Sequence, residues 1–530
     1  MIDVLIIGSG GAGLTSAIEL SKSSKNIVVL SKTFPTASQT SQAQGGINAV
    51  ISNEKDSIEN HINDTLKSSH SLGDKNSIEY MCQNGAKTIK WLDDIGVPFS
   101  KDKDNNIAQR QLGGTTNPRA CYSSDYTGLK ILHTLYDNAI KKDIKFLNEH
   151  MLLDFIVVDN CIKGVVALDI KNSEVKQILA KEVIIATGGY SGIYHKYTTN
   201  STATTGEVLS ASYRVGCKLS NMEYVQFHPT ALKNNSILIS ESARGEGGYL
   251  VTSDEERFTN ELGTRDIVAR AIFKKIEKGE DVFLDLRHIP KEKILESMPQ
   301  EYNIALESLG LELDKDLIPI KPVAHYTMGG IQTNIDGKTN IKNLYAVGEI
   351  ASNGVHGANR LGGNSLLEII TFGRKIAQNI IENNENIEIE DKEYDIFLEN
   401  KKLIDSIYDL PNILNFYDYK KDIGEMFYNK VGLFRDESSL QSVITNLDYI
   451  KDKIKQMGIS DKSYNYNTNL KEFIEFINSI ELGKIIVNSA LQREESRGSH
   501  YRTDFEQENP DFEKEIIIQK DENKKVWDLL

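Results

Sequence analysis

Gly8, Gly10 and Gly13 stand in the spacing G-x-G-x-x-G inside the opening MIDVLIIGSGGAGL, with Gly11 beside them. Glycine at these positions permits a tight turn and lets a pyrophosphate approach backbone N–H groups at a helix N-terminus, so the pattern points to a bound dinucleotide. The acid that would hold the ribose of a nicotinamide cofactor about 20 residues later is missing, because that segment ends in Ser31-Lys32. No second fingerprint follows, so electrons are not expected from bound NAD(P)H. A second chemical feature is HGANRLGGNSLLE (356–368), with glycines on both sides of Arg360. Ser365 and Glu368 have capping-box spacing ahead of the apolar stripe Leu366, Ile369, Ile370 and Phe372, which predicts a helix start whose positive end favours an anion. Cys82, Cys121, Cys161 and Cys217 lie far apart with no CxxC pair. Neither a disulfide framework, an in-chain iron–sulfur centre nor another metal site is expected, and the expected compartment is reducing.

The elements that must position these groups follow from the apolar pattern. Val4 to Ile7 feeds the glycines, Leu14, Ala17, Ile18 and Leu20 repeat at helical spacing, and IVVL runs into Ser31. That is a βαβ unit in about 30 residues, and it implies a parallel sheet. EVIIATGG (182–189) and NLYAVGE (343–349) read as further strands with glycine ends, so the sheet is rebuilt by distant segments around an insertion. From about residue 390 the sequence becomes rich in Lys, Asp, Glu and Asn with apolar residues at helical intervals, as in LKEFIEFINSIELGKI. The last dozen residues read as a solvated tail. With 530 residues, 39% of them hydrophobic, the chain can bury a large core, and its net charge of −15 repels a phosphate backbone and argues against nucleic acid. The opening leaves no room for an export signal, and apolar runs such as LLEIITFG fall far short of the roughly 18 residues of a membrane span.

Phe34-Pro35-Thr36, AQGGINA (43–49), QFHPT (226–230), RGEGG (244–248), HYTMGG (325–330) and HGANRLGGNSLLE occur in the order found in the flavoprotein subunits of fumarate reductase and succinate dehydrogenase. The chain resembles that family over about residues 1–380, with a weaker echo at ESRGSHYRTDF (495–505). The resemblance implies an α/β fold: a Rossmann-like FAD-binding domain in two parts (1–225 and 321–385), an inserted α+β capping domain (226–320) and a C-terminal helical domain (390–530). It places FAD against Gly8, Gly10, Gly11, Gly13, Ser31, Lys32, Gln39, Thr40, Gln44, Gly45, Gly46, Gly188, Gly189, Asn364, Ser365 and Leu366, with Glu349 on the ribose.

A four-carbon dicarboxylate needs two anion sites, for which Arg forks, imidazoles and hydroxyls are suited. By resemblance these are His228, Ser240, Glu241, His325 and Arg360, with Ser240 where the family commonly has Thr. Fumarate reduction also needs an acid opposite the flavin. The family position is Arg265, which follows Thr264, a candidate N-cap, so that the helix dipole disfavours its cation. Protons are expected to pass through Arg244, Glu246 and Arg265, with Asp266 also close to Arg265.

Two departures stand out. Many respiratory members attach FAD through a His where this chain has Gln39 in Ser38-Gln39-Thr40, so FAD is expected to be noncovalent, which favours reduction of fumarate. Glu207 lies in TGEV (205–208), where the family more often has TGDG. The alternative within the superfamily is L-aspartate oxidase, which has a Glu before a glycine pair to receive the substrate ammonium; here Leu112 precedes Gly113-Gly114 and offers no charge. The family further implies an iron–sulfur partner, with room for a third quinone- or thiol-reactive subunit, and a cytoplasmic chain that meets the membrane's inner face only through partners.

Overall fold

The structure is a computed structural model that describes residues 1–520 apart from 53, 55 and 384–386. β1 (Ile2–Ile7) is an uninterrupted apolar run with its last four residues buried, and α1 (Gly11–Leu20) is buried along its whole length. β2 (Ile27–Ser31) lies parallel to β1, with Val4 opposite Ile27 and Ile7 opposite Leu30. After α2 (Ile58–Ser68) and α3 (Thr127–Lys141) come β3 (Lys145–Asn148), β4 (His150–Val158), β5 (Cys161–Asp169) and β6 (Glu174–Ile185). The sheet order is β3-β2-β1-β6-β5-β4. β6 starts eight residues before the strand expected from sequence because it does two jobs. Residues 174–179 pair antiparallel with β5, and residues 180–185 pair parallel with β1.

α4 (Glu207–Arg214) leads to β7 (Val225–Leu232), followed by α5 (Glu241–Gly245), β8 (Tyr249–Thr252), α6 (Arg265–Glu277), β9 (Val282–Asp285), α7 (Pro299–Leu309) and β10 (Ile318–Thr327). The four strands form an antiparallel sheet, β7-β10-β9-β8, over a separate apolar core that includes Leu250, Val268, Leu284 and Ile318. β10 continues past residue 320 to Thr327 and stays paired with β7 throughout, with Val225 opposite Thr327, so the strand that holds His325 belongs to this sheet. β11 (Leu344–Ala346) then rejoins the main sheet parallel to β6, with Tyr345 opposite Ile184, ahead of α8 (Asn364–Glu382).

The C-terminal part is built on α9 (Asp395–Asp409), α10 (Phe416–Lys430), α11 (Glu437–Lys453) and α12 (Thr468–Gln492). It is not wholly helical as expected: Ile517–Ile518 forms a short strand paired antiparallel with Leu219–Ser220. Residues 521–530, where the sequence suggests a solvated tail, lie outside the described residues. Among those that are described, no helix is long and apolar enough to cross a membrane.

Candidate active site

A cleft enclosing about 1670 Å³ of non-atom space, its open mouth included, runs from the C-terminal ends of β1 and β2 to the antiparallel sheet. Ligands of open α/β sheets bind at such strand ends. Every cofactor position expected from sequence lines it except Gly13 and Asn364. Gly13 instead lets α1 pack on the strand, since a Cβ there would stand 2.0 Å from the carbonyl oxygen of Gly8. Asn364 is buried behind the wall, where its Oδ1 accepts from Asn48, lies 2.9 Å from His61 Nε2, and its Nδ2 donates to Thr65.

The cradle fits a dinucleotide on its own geometry. Gly8 has φ +106° and no room for a side chain, and a Cβ on Gly189 would meet Glu349 Oε1 at 2.4 Å. Buried polar atoms of lining residues, among them Gln44 Oε1, Thr187 Oγ1 and Asn200 Oδ1, lack hydrogen-bond partners within the chain. Buried polar groups are ordinarily satisfied, so these call for a ligand or water. Glu349 Oε1 accepts from the Thr327 N–H at 2.9 Å, and burial pushes its carboxyl up to about 7 against that bond and the pull of Arg360. Lys32 Nζ donates to Glu207 at 2.7 Å and Thr205 at 2.9 Å and lies 2.9 Å from Glu475 on α12. The two carboxylates overcome burial and raise its ammonium above the ordinary lysine range. The longer arm of Glu207, the second sequence departure, is thus spent on Lys32. Gln39 Oε1 accepts from the Ser201 N–H at 2.7 Å and ties the glycine side of the cleft to the 199–205 loop.

At the other end, His228, Ser240, Glu241, Arg265, His325 and Arg360 all line the cleft. The Thr230 backbone N–H donates to His228 Nδ1 at 3.2 Å. A backbone N–H can only donate, so the neutral ring carries its proton on Nε2. His325 Nδ1 is 2.7 Å from Thr199 Oγ1, and the two imidazoles are 5.0 Å apart. Burial, then the guanidinium of Arg265, holds both rings well below the usual histidine range, so each is a neutral donor.

Arg265 donates through Nε and Nη2 to Glu241 Oε2 at 2.9 and 2.6 Å, and through Nη1 to Gln226 Oε1 at 3.1 Å. Arg360 donates to the same Gln226 oxygen at 3.2 Å and stacks 4.3 Å from the centroid of Tyr326. Burial and the charge of Arg265 bring Arg360 down to about 9. Glu241 is fully enclosed; burial pushes its carboxyl up, but Arg265 and Arg244 outweigh it and hold it below the usual range.

Three expectations are corrected. Glu246 does not stand between the arginines: its carboxylate faces out to Lys293 at 3.2 Å, while Glu241 lies between Arg265 and Arg244, whose Nη2 is 3.8 Å from Oε1. Arg244 is buried outside the cleft wall and donates to the Glu261 carbonyl. Asp266 turns away from Arg265, pairing with Arg270 at 2.7 Å and accepting from Asn359. The capping box of α8 does not form, because Gly363 turns the chain at φ +81° and starts the helix at Asn364. Ser365 Oγ then sits 3.4 Å from Arg360 Nη1, and Glu368 accepts from Asn353 at 2.8 Å. Thr264 does occupy the N-cap of α6, but its side chain makes no capping bond. Gln226, which joins the two arginines, was not singled out from sequence although it opens the QFHPT motif.

A dinucleotide cradle that opens into an anion pocket is the arrangement of an oxidoreductase acting on an acidic substrate from a bound nucleotide cofactor. Residues 3–366 match the FAD binding domain model and residues 420–528 the fumarate reductase flavoprotein C-terminal model. The succinate dehydrogenase flavoprotein subunit of Rickettsia conorii is 36% identical over 99% of this chain and 94% of that protein. The fumarate reductase flavoprotein subunit of Haemophilus influenzae is 34% identical over 98% and 92%. A solved E. coli quinol fumarate reductase chain superposes with a TM-score of 0.92 at 32% identity, covering 99% of this chain and 95% of that one. The chain belongs to the fumarate reductase and succinate dehydrogenase flavoprotein family, and its cofactor is FAD.

Proposed function

We propose that this chain interconverts fumarate and succinate, with fumarate reduction favoured, FAD held without a covalent bond, and electrons exchanged with an iron–sulfur subunit. The observation that carries the reading is the convergence of Arg265, Arg360, His228 and His325 on one end of the cleft. FAD, when bound by the glycine cradle and Glu349, supplies the hydride chemistry. His228 donates from Nε2 to a substrate carboxylate, His325 does the same when Thr199 Oγ1 donates to its Nδ1, and Arg360 adds the charged contact that holds a dicarboxylate in a dry pocket. Arg265 gives a proton to the carbon opposite the hydride and recovers one through Glu241, backed by Arg244.

Leu112 supports an unsubstituted dicarboxylate over L-aspartate. It is buried in the cleft wall and itself presents no charge to an ammonium group. Gln39 supports noncovalent FAD, since a carboxamide cannot take the place of the linking imidazole. The cysteines support a partner: all four are free thiols spread along the chain, which leaves delivery of electrons to FAD for fumarate reduction to another protein. Close relatives are themselves named as subunits, and association with the inner face of a membrane would come through such partners, with a quinone- or thiol-reactive component as the third member. The test compares purified protein on fumarate with reduced viologen and on L-aspartate with oxygen; activity on the second pair alone refutes the reading. Acid precipitation should leave flavin in the supernatant, and flavin retained in the pellet refutes the noncovalent assignment.

A further inference from the structure

Behind Ser240 lies an acid that the mechanism above does not use. Glu301, on α7, is 0% exposed. Its Oε1 accepts from the Ser240 N–H at 3.2 Å and from Ser242 Oγ at 2.9 Å, while its Oε2 is buried without a partner. Ser242 Oγ is also 2.7 Å from Ser240 Oγ, which already accepts the Ser242 N–H at 3.1 Å. Each hydroxyl has one proton. With Ser242 donating to Glu301, the contact between the two hydroxyls must use the proton of Ser240, and Ser240 then shows only a lone pair to the cleft. A carboxylate arriving there needs the chain reversed: Ser240 donates to the ligand, Ser242 donates to Ser240, and Glu301 donates to Ser242. That last bond exists only if Glu301 carries a proton.

Resting on the reading of Ser240 as a carboxylate contact, we propose that Glu301 is a positioning residue that sets the direction of the Ser240 hydroxyl through Ser242: a carboxylate binds the form in which Glu301 is protonated, so that above the Glu301 ionisation binding draws a proton from solvent. The charged and titratable groups around it agree with this. Asp125, ahead of α3, accepts from the Gln300 and Glu301 N–H groups at 2.7 and 3.0 Å and disfavours a second negative charge. Arg110, the opposing cation, directs Nε and Nη2 to the carbonyls of Gly45, Gln44 and Ser124, leaves Nη1 without a bond, and also feels Glu246 and Tyr122. Burial and then Asp125 push the Glu301 carboxyl up to about 8, so the group is poised near neutrality.

The experiment measures the Kd of malonate, a non-reacting dicarboxylate, on the FAD-loaded protein from the flavin absorbance change between about pH 7 and about pH 9.5. Glu301→Gln keeps the bond from Ser240 N–H and donates permanently to Ser242. The ratio of wild-type to E301Q Kd should rise about tenfold per pH unit above the Glu301 ionisation, which cancels titration of Arg360 common to both. Ser242→Ala should abolish the same Glu301-linked rise. Calorimetry in buffers of different ionisation enthalpy near pH 8.5 should show about one proton fewer taken up by E301Q. A Kd ratio that stays within about twofold across the range overturns the proposal while leaving the proposed function standing. Binding of L-aspartate but not malonate overturns the proposed substrate, and the same ratio read with L-aspartate then decides the role of Glu301. Failure of both ligands to bind overturns both.

Discussion

Replacing Arg265 with lysine separates catalysis from cofactor binding. Arg265 makes three charged hydrogen bonds, two to Glu241 Oε2 and one to Gln226 Oε1. A lysine ammonium is a point charge that can reach one of these acceptors but cannot span both, so two bonds are lost. Hydrogen bonds to charged groups contribute about 1.5–3 kcal/mol each, so a loss felt in the transition state amounts to about 3–6 kcal/mol, or about 100- to 10,000-fold in kcat. None of the three bonds touches the glycine cradle or Glu349, so FAD content should not change. The assay is fumarate-dependent oxidation of reduced viologen, with FAD per chain measured from released flavin. A variant that keeps its FAD and a kcat within about tenfold of wild type would show that Arg265 is not the proton donor, and one that loses its FAD would show that the residue also supports the cofactor.

Burial raises Glu349 in the cofactor-free protein to about 7, so it is neutral below that pH and can accept from ribose hydroxyls as an anion only above it. FAD affinity of the stripped protein, read by quenching of flavin fluorescence, should therefore tighten from about pH 6 to about pH 8 and then level, and Glu349→Gln should flatten the curve; an affinity that weakens over this range contradicts the sign. Leu112→Glu places an unpaired carboxylate in the cleft wall and should lower kcat/KM for fumarate at least about tenfold while improving use of L-aspartate; unchanged fumarate kinetics would remove Leu112 from the specificity argument. Lys32→Ala leaves Glu207 and Glu475 facing each other with their shared cation gone, and breaking such a buried pair should cost about 3–5 kcal/mol, seen as a lower Tm; a Tm within about a degree of wild type would show that the pair is compensated elsewhere.

Four strands of the FAD-binding sheet were legible as short apolar runs, and β11 could be matched to β6 because both end in glycine, whereas β3, β4 and β5 lack that signature and were not singled out. The N-terminal half of β6 was missed because EVKQIL interrupts the apolar run with Glu, Lys and Gln and is only part-buried. The substrate-site side chains came from long motifs, but how they pair did not. Glu246 follows Arg244 closely in sequence, yet α5 is only five residues long and presents Glu241, at its first position, to an arginine from α6. The choice between two nearby acids was made by packing between helices, which local spacing does not encode. The capping box failed for a similar reason: the backbone of Gly363 can adopt a conformation that starts the helix early, and the side chains that fit the motif were then free for other partners. Glu301 carries no motif at all, and only its burial against Ser240 and Ser242 distinguishes it from Glu307, the other glutamate of α7.

The ion cluster at Lys32 joins opposite ends of the polypeptide. Its ammonium comes from Lys32, just after β2, and its two carboxylates come from Glu207 at the start of α4 and Glu475 on α12. Until α12 docks, the nucleotide cradle holds a cation without its full counter-charge, and its floor is electrostatically unfinished. Docking of α12 therefore completes the charge balance beneath the nucleotide cradle, so the helical part and the FAD-binding sheet share one electrostatic site.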